Sequence, residues 1–191
     1  MSNFPADGYH IIKSAVSKDL LDIYYLYSRY YLRIGCYFEF DSKSASMGRY
    51  ADGVGEALLS HLEDRISDEL GQQVLPSYSF LRFYTPESRL IKHVDRPACE
   101  ITGTMTIGPK DITPWPIHLQ LEDRVVSAEL EPGDLLLFRG PTIPHWRDPL
   151  PDGHCLQVFL HYVFKDGDYE EYKFDQREKI GPQPVRHPVT A

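Results

Sequence analysis

The chain has 191 residues, 42% of them hydrophobic and 25% charged, which suits one globular domain with its own core. A formal net charge of −8 with no cluster of Lys and Arg argues against nucleic acid as a partner, because phosphate binding draws on counterion release at a basic surface. No apolar run is long enough for a membrane span, and the start MSNFPADGYH lacks the basic and apolar regions of a secretory signal.

Three widely spaced cysteines, Cys36, Cys99 and Cys155, suit reduced thiols rather than a disulfide framework, so a cytoplasmic location is expected. Taken in order, residues 17–34 read as a helix: Ser17 is placed to cap it, Asp19 lies in the first turn, and Gly35 follows the end. Leu20, Ile23, Tyr24, Tyr27 and Tyr31 recur at helical spacing. Six of the 13 tyrosines fall between Tyr24 and Tyr37, which suggests an aromatic helix face packed on a sheet. The polar stretch EFDSKSASMGRYADG reads as a surface loop. A second helix is predicted over 54–70, with Val54, Leu58, Leu62, Ile66 and Leu70 on one face, His61 on the polar face, and Gly71 as the stop.

From residue 78 the period changes to that of strands. YSFLRFY, RLIKHV, EITGTMTI, PIHLQL, VVSAEL, LLLFR, IPHW and CLQVFLHYVF are short, rich in β-branched and aromatic residues, and separated by Pro, Gly and Asp. Helices at one end followed by eight short strands indicate α+β, and strands of this length suit a double-sheet jelly roll. The expected organisation is a single domain over 1–191. It has helical support in 1–73, a jelly-roll core in 74–164 and a C-terminal extension in 165–191, whose proline-rich end has no periodicity.

His93 and Asp95 stand two apart at the end of an apolar strand. A third candidate ligand lies beyond Pro132-Gly133, a pair that fits the middle of a type II turn, and the strand Leu135–Phe138 then leads to His145. Two neutral imidazoles and one carboxylate would form a facial triad that leaves positions open on an octahedral ion, a set that points to non-haem Fe(II).

On these residues the chain resembles the 2-oxoglutarate- and Fe(II)-dependent dioxygenases, and within them the prolyl-hydroxylase-like branch. RFYTPESRLIKHVDRP is similar to that branch's tyrosine strand, loop and His-x-Asp strand. PGDLLLFRGPTIPHW is similar to its Pro-Gly-Asp turn, buried strand and distal histidine, and the likeness spans roughly residues 74–164. It implies a double-stranded β-helix, Fe(II) on His93, Asp95 and His145, and O2 and 2-oxoglutarate as cosubstrates, with succinate and CO2 as coproducts. It further implies hydroxylation of an amino acid, a peptide or protein side chain, or a small natural product. Relatives that halogenate lack the carboxylate ligand, which Asp95 supplies here.

The resembled family anchors the distal carboxylate of 2-oxoglutarate on an Arg or Lys some nine to twelve residues after the distal histidine. The corresponding window here, HCLQ, has neither. Arg147 is the leading substitute, ahead of Arg82 and His154, and Lys110 resembles a turn residue. Arginine offers the fork a carboxylate prefers. Tyr84 is either a donor to the cosubstrate or a core tyrosine. Thr102, Thr104 and Thr106 put hydroxyls on one strand face, and Gln157 and His161 share a face of the last strand and need polar partners if buried. Cys99 reads as a small core residue, and Trp115 and Trp146 as pocket border or core. The acidic balance favours a neutral or cationic substrate. Two other readings stay open: a cupin-like metal enzyme that does not use 2-oxoglutarate, and a non-catalytic jelly-roll binding module.

Overall fold

The computed structural model describes residues 8–183; the first seven residues and the tail from 184 lie outside the described residues. Helix α1, Lys18–Tyr31, starts where the Ser17 hydroxyl accepts the Leu20 N–H at 3.3 Å, pairing one of the donors a first turn leaves open. The predicted second helix is two: α2, Gly53–His61, and α3, Glu63–Leu70, which meet at Leu62. Asp52 caps α2 by accepting the Val54 and Gly55 N–H groups at 3.1 and 3.0 Å. Gly71, at φ 64°, ends α3 in the left-handed region that glycine enters without strain. His61 is exposed at the end of α2.

Seven strands form an antiparallel sheet: β1 (Tyr9–Ile12), β2 (Glu39–Asp41), β3 (Ser46–Tyr50), β4 (Val74–Tyr84), β6 (Ile101–Gly108), β9 (Leu135–Phe138) and β11 (Cys155–Phe164). Their order across the sheet is β1-β9-β6-β11-β4-β3-β2. A second sheet holds β5 (Leu90–His93), β7 (Ile117–Gln120), β8 (Val125–Ala128) and β10 (His145–Arg147), in the order β5-β10-β7-β8. The architecture is α+β, a double-stranded β-helix with helices on one face of its larger sheet, as the strand pattern predicts. Asp134 N–H bonds the Glu131 carbonyl at 3.0 Å with Gly133 at φ 92°, the expected type II turn.

Two features depart from expectation. β1 adds an edge strand beside β9. The stretch read as a surface loop contains the hairpin β2–β3, in which Met47–Tyr50 pair with Phe83–Phe80 of β4. Its polar composition hid a strand whose stability comes from the neighbour rather than from its own propensity. Gly48 permits the pairing, since a Cβ there would come within 2.6 Å of the Phe80 ring.

Alternation along the strands divides the larger sheet into two faces. Leu81, Met105, Leu137, Val158 and Leu160 pack under the helices. Leu136 and Phe138 meet Ile117 and Leu119 between the sheets, and Tyr84, Trp115, Leu150 and Cys155 form a further cluster. The tyrosine-rich run converges on the fully buried Asp52, which accepts the hydroxyls of Tyr24, Tyr27 and Tyr37 at 2.8, 3.0 and 2.5 Å. Asp52→Ala removes a cap and strands buried donors, so unfolding in urea should show a loss of about 3 kcal/mol. A loss below about 1 kcal/mol would mean that the cluster is not the anchor of α2.

Candidate metal centre

His93 ends β5 and is the cross-strand partner of His145, which begins β10, and their ring centroids are 4.3 Å apart. The chain then leaves β5, and the Asp95 N–H bonds the Gly140 carbonyl at 2.9 Å, which turns the carboxylate back toward the rings. Asp95 Oδ1 lies 3.5 Å from His93 Nε2 and 3.7 Å from His145 Nε2. One donor atom from each of the three lies within 4.8 Å of the others. Each Nδ1 bonds the carbonyl two residues earlier in its own chain, Ile91 at 2.8 Å and Ile143 at 3.0 Å. A ring that donates from Nδ1 keeps its Nε2 lone pair for a metal. Two imidazoles and a carboxylate on one side fit a divalent first-row ion with positions left open toward the cavity.

The second layer of contacts holds the carboxylate. Thr102 Oγ1 donates to Asp95 Oδ2 at 2.7 Å and lies 3.2 Å from His161 Nδ1. Burial alone would raise the Asp95 carboxyl. The neighbouring His93 ring and the fields of His161 and His145 nevertheless hold it well below the usual carboxylate range. Burial pulls His145 below the ordinary histidine value and His161 down to about 4, which keeps both rings neutral at physiological pH. Gly140 closes this layer. A Cβ there would sit 2.5 Å from Thr102 Oγ1 and 2.6 Å from both Asp95 Oδ2 and the Cys99 carbonyl. Asp95, Cys99 and His161 form a second possible donor group. The Cys99 thiol, however, is bonded to the Tyr78 hydroxyl at 3.1 Å and pushed up to about 12 by burial, so it packs as a small protonated core residue.

A cavity of about 540 Å³ opens onto His93, Asp95 and His145, with Tyr78, Phe80, Tyr84 and Phe159 also lining it. The buried Tyr84 hydroxyl has no hydrogen-bond partner among the described residues, and burial pushes it up to about 12. Arg147, beyond His145 on β10, is buried with one N–H on the Trp115 carbonyl and its guanidinium 4.6 Å over the Trp115 ring. Among the described residues its Nε and Nη2 have no hydrogen-bond partner, and its charge acts on the Tyr84 hydroxyl. Cys155, in the window where the resembled family has its basic anchor, feels the same charge.

The other candidates are placed differently. Arg82 lines the cavity but is held by Asp41 and Ser46 at 2.8 Å each, and by Ser44. Burial would raise the Asp41 carboxyl, but the Arg82 and Ser44 bonds bring it to about 2. Thr104 donates to Gln157 at 3.3 Å, and Gln157 donates to Thr106 at 2.7 Å, a closed polar ladder between β6 and β11. His154 is not brought to the cavity: it bonds the Tyr25 hydroxyl at 2.7 Å and Arg29 at 3.1 Å beside α1. The reason is alternation, since Cys155 faces the second sheet and its predecessor does not. Lys110 pairs with Asp22, Trp115 is buried behind Tyr84, and Trp146 stacks near His118 on the second sheet. Sequence reasoning missed Gly140 and the hairpin residues Asp41, Lys43 and Ser44. Only the Gly-Pro pair in FRGP offered a signal.

No protein-family model matches the chain, and no curated protein matches it in sequence. Solved structures match in fold. A prolyl-4-hydroxylase from Pseudomonas putida superposes with a TM-score of 0.66 at 16% identity, covering 83% of this chain and 94% of that one. A prolyl hydroxylase from Trichoplax adhaerens, in complex with a hypoxia inducible factor peptide, gives 0.68 at 16% identity over 83% and 84%. The non-haem α-ketoglutarate-dependent epimerase SnoN from nogalamycin biosynthesis gives 0.68 at 14% identity over 99% and 93%. The chain therefore has the double-stranded β-helix of the 2-oxoglutarate/Fe(II) oxygenases, including prolyl-hydroxylase-like proteins.

Two outcomes follow from this geometry. Gly140→Ala should displace the Asp95 carboxylate and weaken Co(II) or Fe(II) binding about tenfold or more, as read by metal titration. In the metal-free protein, both His161 and Asp95 make stability fall in acid. His161 titrates at an ordinary 6.5 unfolded and about 4 folded, so its contribution is complete above pH 6.5 and is lost as pH falls toward 4. Asp95 adds its loss below 3.8. Urea midpoints of His161→Asn should therefore vary less between pH 6.5 and 4 than those of the parent.

Proposed function

We propose that this chain is an Fe(II)- and 2-oxoglutarate-dependent oxygenase that hydroxylates a substrate bearing an anionic group. The carrying observation is the convergence of two Nε2 atoms and one carboxylate oxygen at the wall of a cavity, with both Nδ1 atoms engaged elsewhere. His93, Asp95 and His145 would hold the iron. The unpartnered Nε and Nη2 of Arg147 and the unpartnered Tyr84 hydroxyl suit the distal carboxylate of 2-oxoglutarate, since a buried guanidinium with free N–H groups calls for a bidentate anion. When bound, iron and 2-oxoglutarate activate O2 with release of succinate and CO2. The protein's own residues position the cosubstrate, hold His145 and His161 neutral, and exclude water with the aromatic floor. Asp95 as a carboxylate ligand favours hydroxylation over halogenation. The epimerase among the similar folds marks reaction outcome as a property of the substrate pocket rather than of the fold.

The cavity mouth supports the substrate class. Lys43 and Arg89 are exposed there, and among the described residues neither side chain has a hydrogen-bond or ion-pair partner. They join Arg82, against Asp41, at the entrance of an otherwise acidic chain. Local charge steers a ligand more than net charge does, so an acidic substrate replaces the neutral or cationic one that composition suggests.

Anaerobic titration with Fe(II) and then 2-oxoglutarate should produce a visible charge-transfer band only when both are present. Arg147→Ala should raise the 2-oxoglutarate concentration needed for half the band about a hundredfold, and Arg82→Ala should leave it nearly unchanged. Iron binding without the band would exclude 2-oxoglutarate as the chelating cosubstrate and leave a metal enzyme of the cupin-like kind.

A further inference from the structure

We infer that the outer face of α1 is a self-association surface on which a second copy of this chain packs as an antiparallel, two-fold helix pair. Ile23, Leu26, Tyr30 and Ile34 are 64%, 53%, 64% and 48% exposed. They make up four of the eight large apolar side chains exposed among the described residues, so the apolar surface is concentrated rather than scattered. Ile23, Leu26 and Tyr30, spaced three and then four residues apart, lie on one face of α1, and Ile34 follows just past its end. The opposite face is already committed, since Leu21, Tyr24 and Ser28 are buried against the sheet. Single exposed apolar residues are ordinary, but a contiguous stripe marks a contact.

The flanking charges select the occupant. Asp19 precedes the stripe and Arg33 lies at its far end; both are exposed, and among the described residues neither side chain has a hydrogen-bond or ion-pair partner. They are equidistant from Leu26 in the sequence. An antiparallel second copy therefore sets Leu26 against Leu26, brings Ile23 within one residue of Tyr30, and sets Asp19 against Arg33, just past the helix end, on both sides. A parallel copy would set Asp19 against Asp19. Self-complementarity of one patch is what a two-fold interface requires. The opposed macrodipoles favour the same arrangement. Beside Leu26, a groove of about 420 Å³ lined by Tyr25, Ile107 and Pro109 offers space for Tyr30 of the second copy.

Four side chains exposed to this extent offer less surface than a permanent dimer buries. The pair is therefore expected to be reversible. α1 and the second sheet lie on opposite faces of the larger sheet, so pairing leaves the cavity mouth open and does not depend on the oxygenase reading.

Sedimentation velocity from low to several hundred micromolar protein should show the sedimentation coefficient rising toward that of a dimer. Asp19→Arg should raise the midpoint about tenfold, and the double variant Asp19→Arg/Arg33→Asp should restore it. Leu26→Asp, at an exposed position, should abolish association with an unchanged melting temperature. A protein that stays monomeric at the highest concentration would overturn the proposal. So would a dimer insensitive to Leu26→Asp, or a charge swap that fails to restore pairing.

Discussion

Two histidines from strands far apart in sequence occupy one cross-strand pair, and the whole site depends on that register. His93 of β5 faces His145 of β10, and β10 is held in turn by β7, where His145 pairs with Leu119 and Trp146 with His118. A slip of one residue would turn both rings to the other face of the second sheet. The same local device then orients each ring, a bond from Nδ1 to the carbonyl two residues back. The repetition gives two Nε2 lone pairs in one place without any long-range donor to either ring.

The carboxylate requires a longer chain of support. Asp95 lies outside the strand, so its position is set by its own N–H on the Gly140 carbonyl and by Thr102 on its outer oxygen. Thr102 is shared with His161, whose burial keeps it neutral. Because Gly140 has no side chain, these groups can approach as closely as they do. Buried polar groups here are nearly all satisfied, as a low-dielectric interior demands. The Tyr84 hydroxyl and two nitrogens of Arg147 are among the exceptions, and they lie together behind the cavity. Unsatisfied donors of that kind, near the converging side chains of His93, Asp95 and His145, support the anion site proposed above.

The larger sheet separates stability from chemistry. Its helix-side residues build the main core with α1, α2 and α3, and its other face supplies Tyr78, Arg82, Tyr84, Thr102 and His161 to the cavity. The hairpin β2–β3 extends that sheet to the cavity mouth, where Asp41 and Ser44 hold Arg82. Arg82 is thereby neutralised, while Arg147, beside Tyr84, is a buried cation with donors unpartnered among the described residues.

Much of this was legible in the sequence where the controlling interaction is local. Ser17 and Gly71 mark helix ends, Pro132-Gly133 marks a turn, and the eight strands from Val74 to Phe164 follow their alternation, because caps, turns and period-two patterns act over a few residues. The sequence alone also singled out His93, Asp95 and His145 as a candidate set. Where each basic candidate lies relative to the cavity was set only by the tertiary structure. His154 falls on the helix face, Arg82 is claimed by a hairpin that its own polar sequence conceals, and Arg147 is buried with two nitrogens unpartnered among the described residues. Gly140 acquires its importance only when β9's exit meets the Asp95 turn. These outcomes depend on strand pairing between distant segments, and no local pattern carries that information.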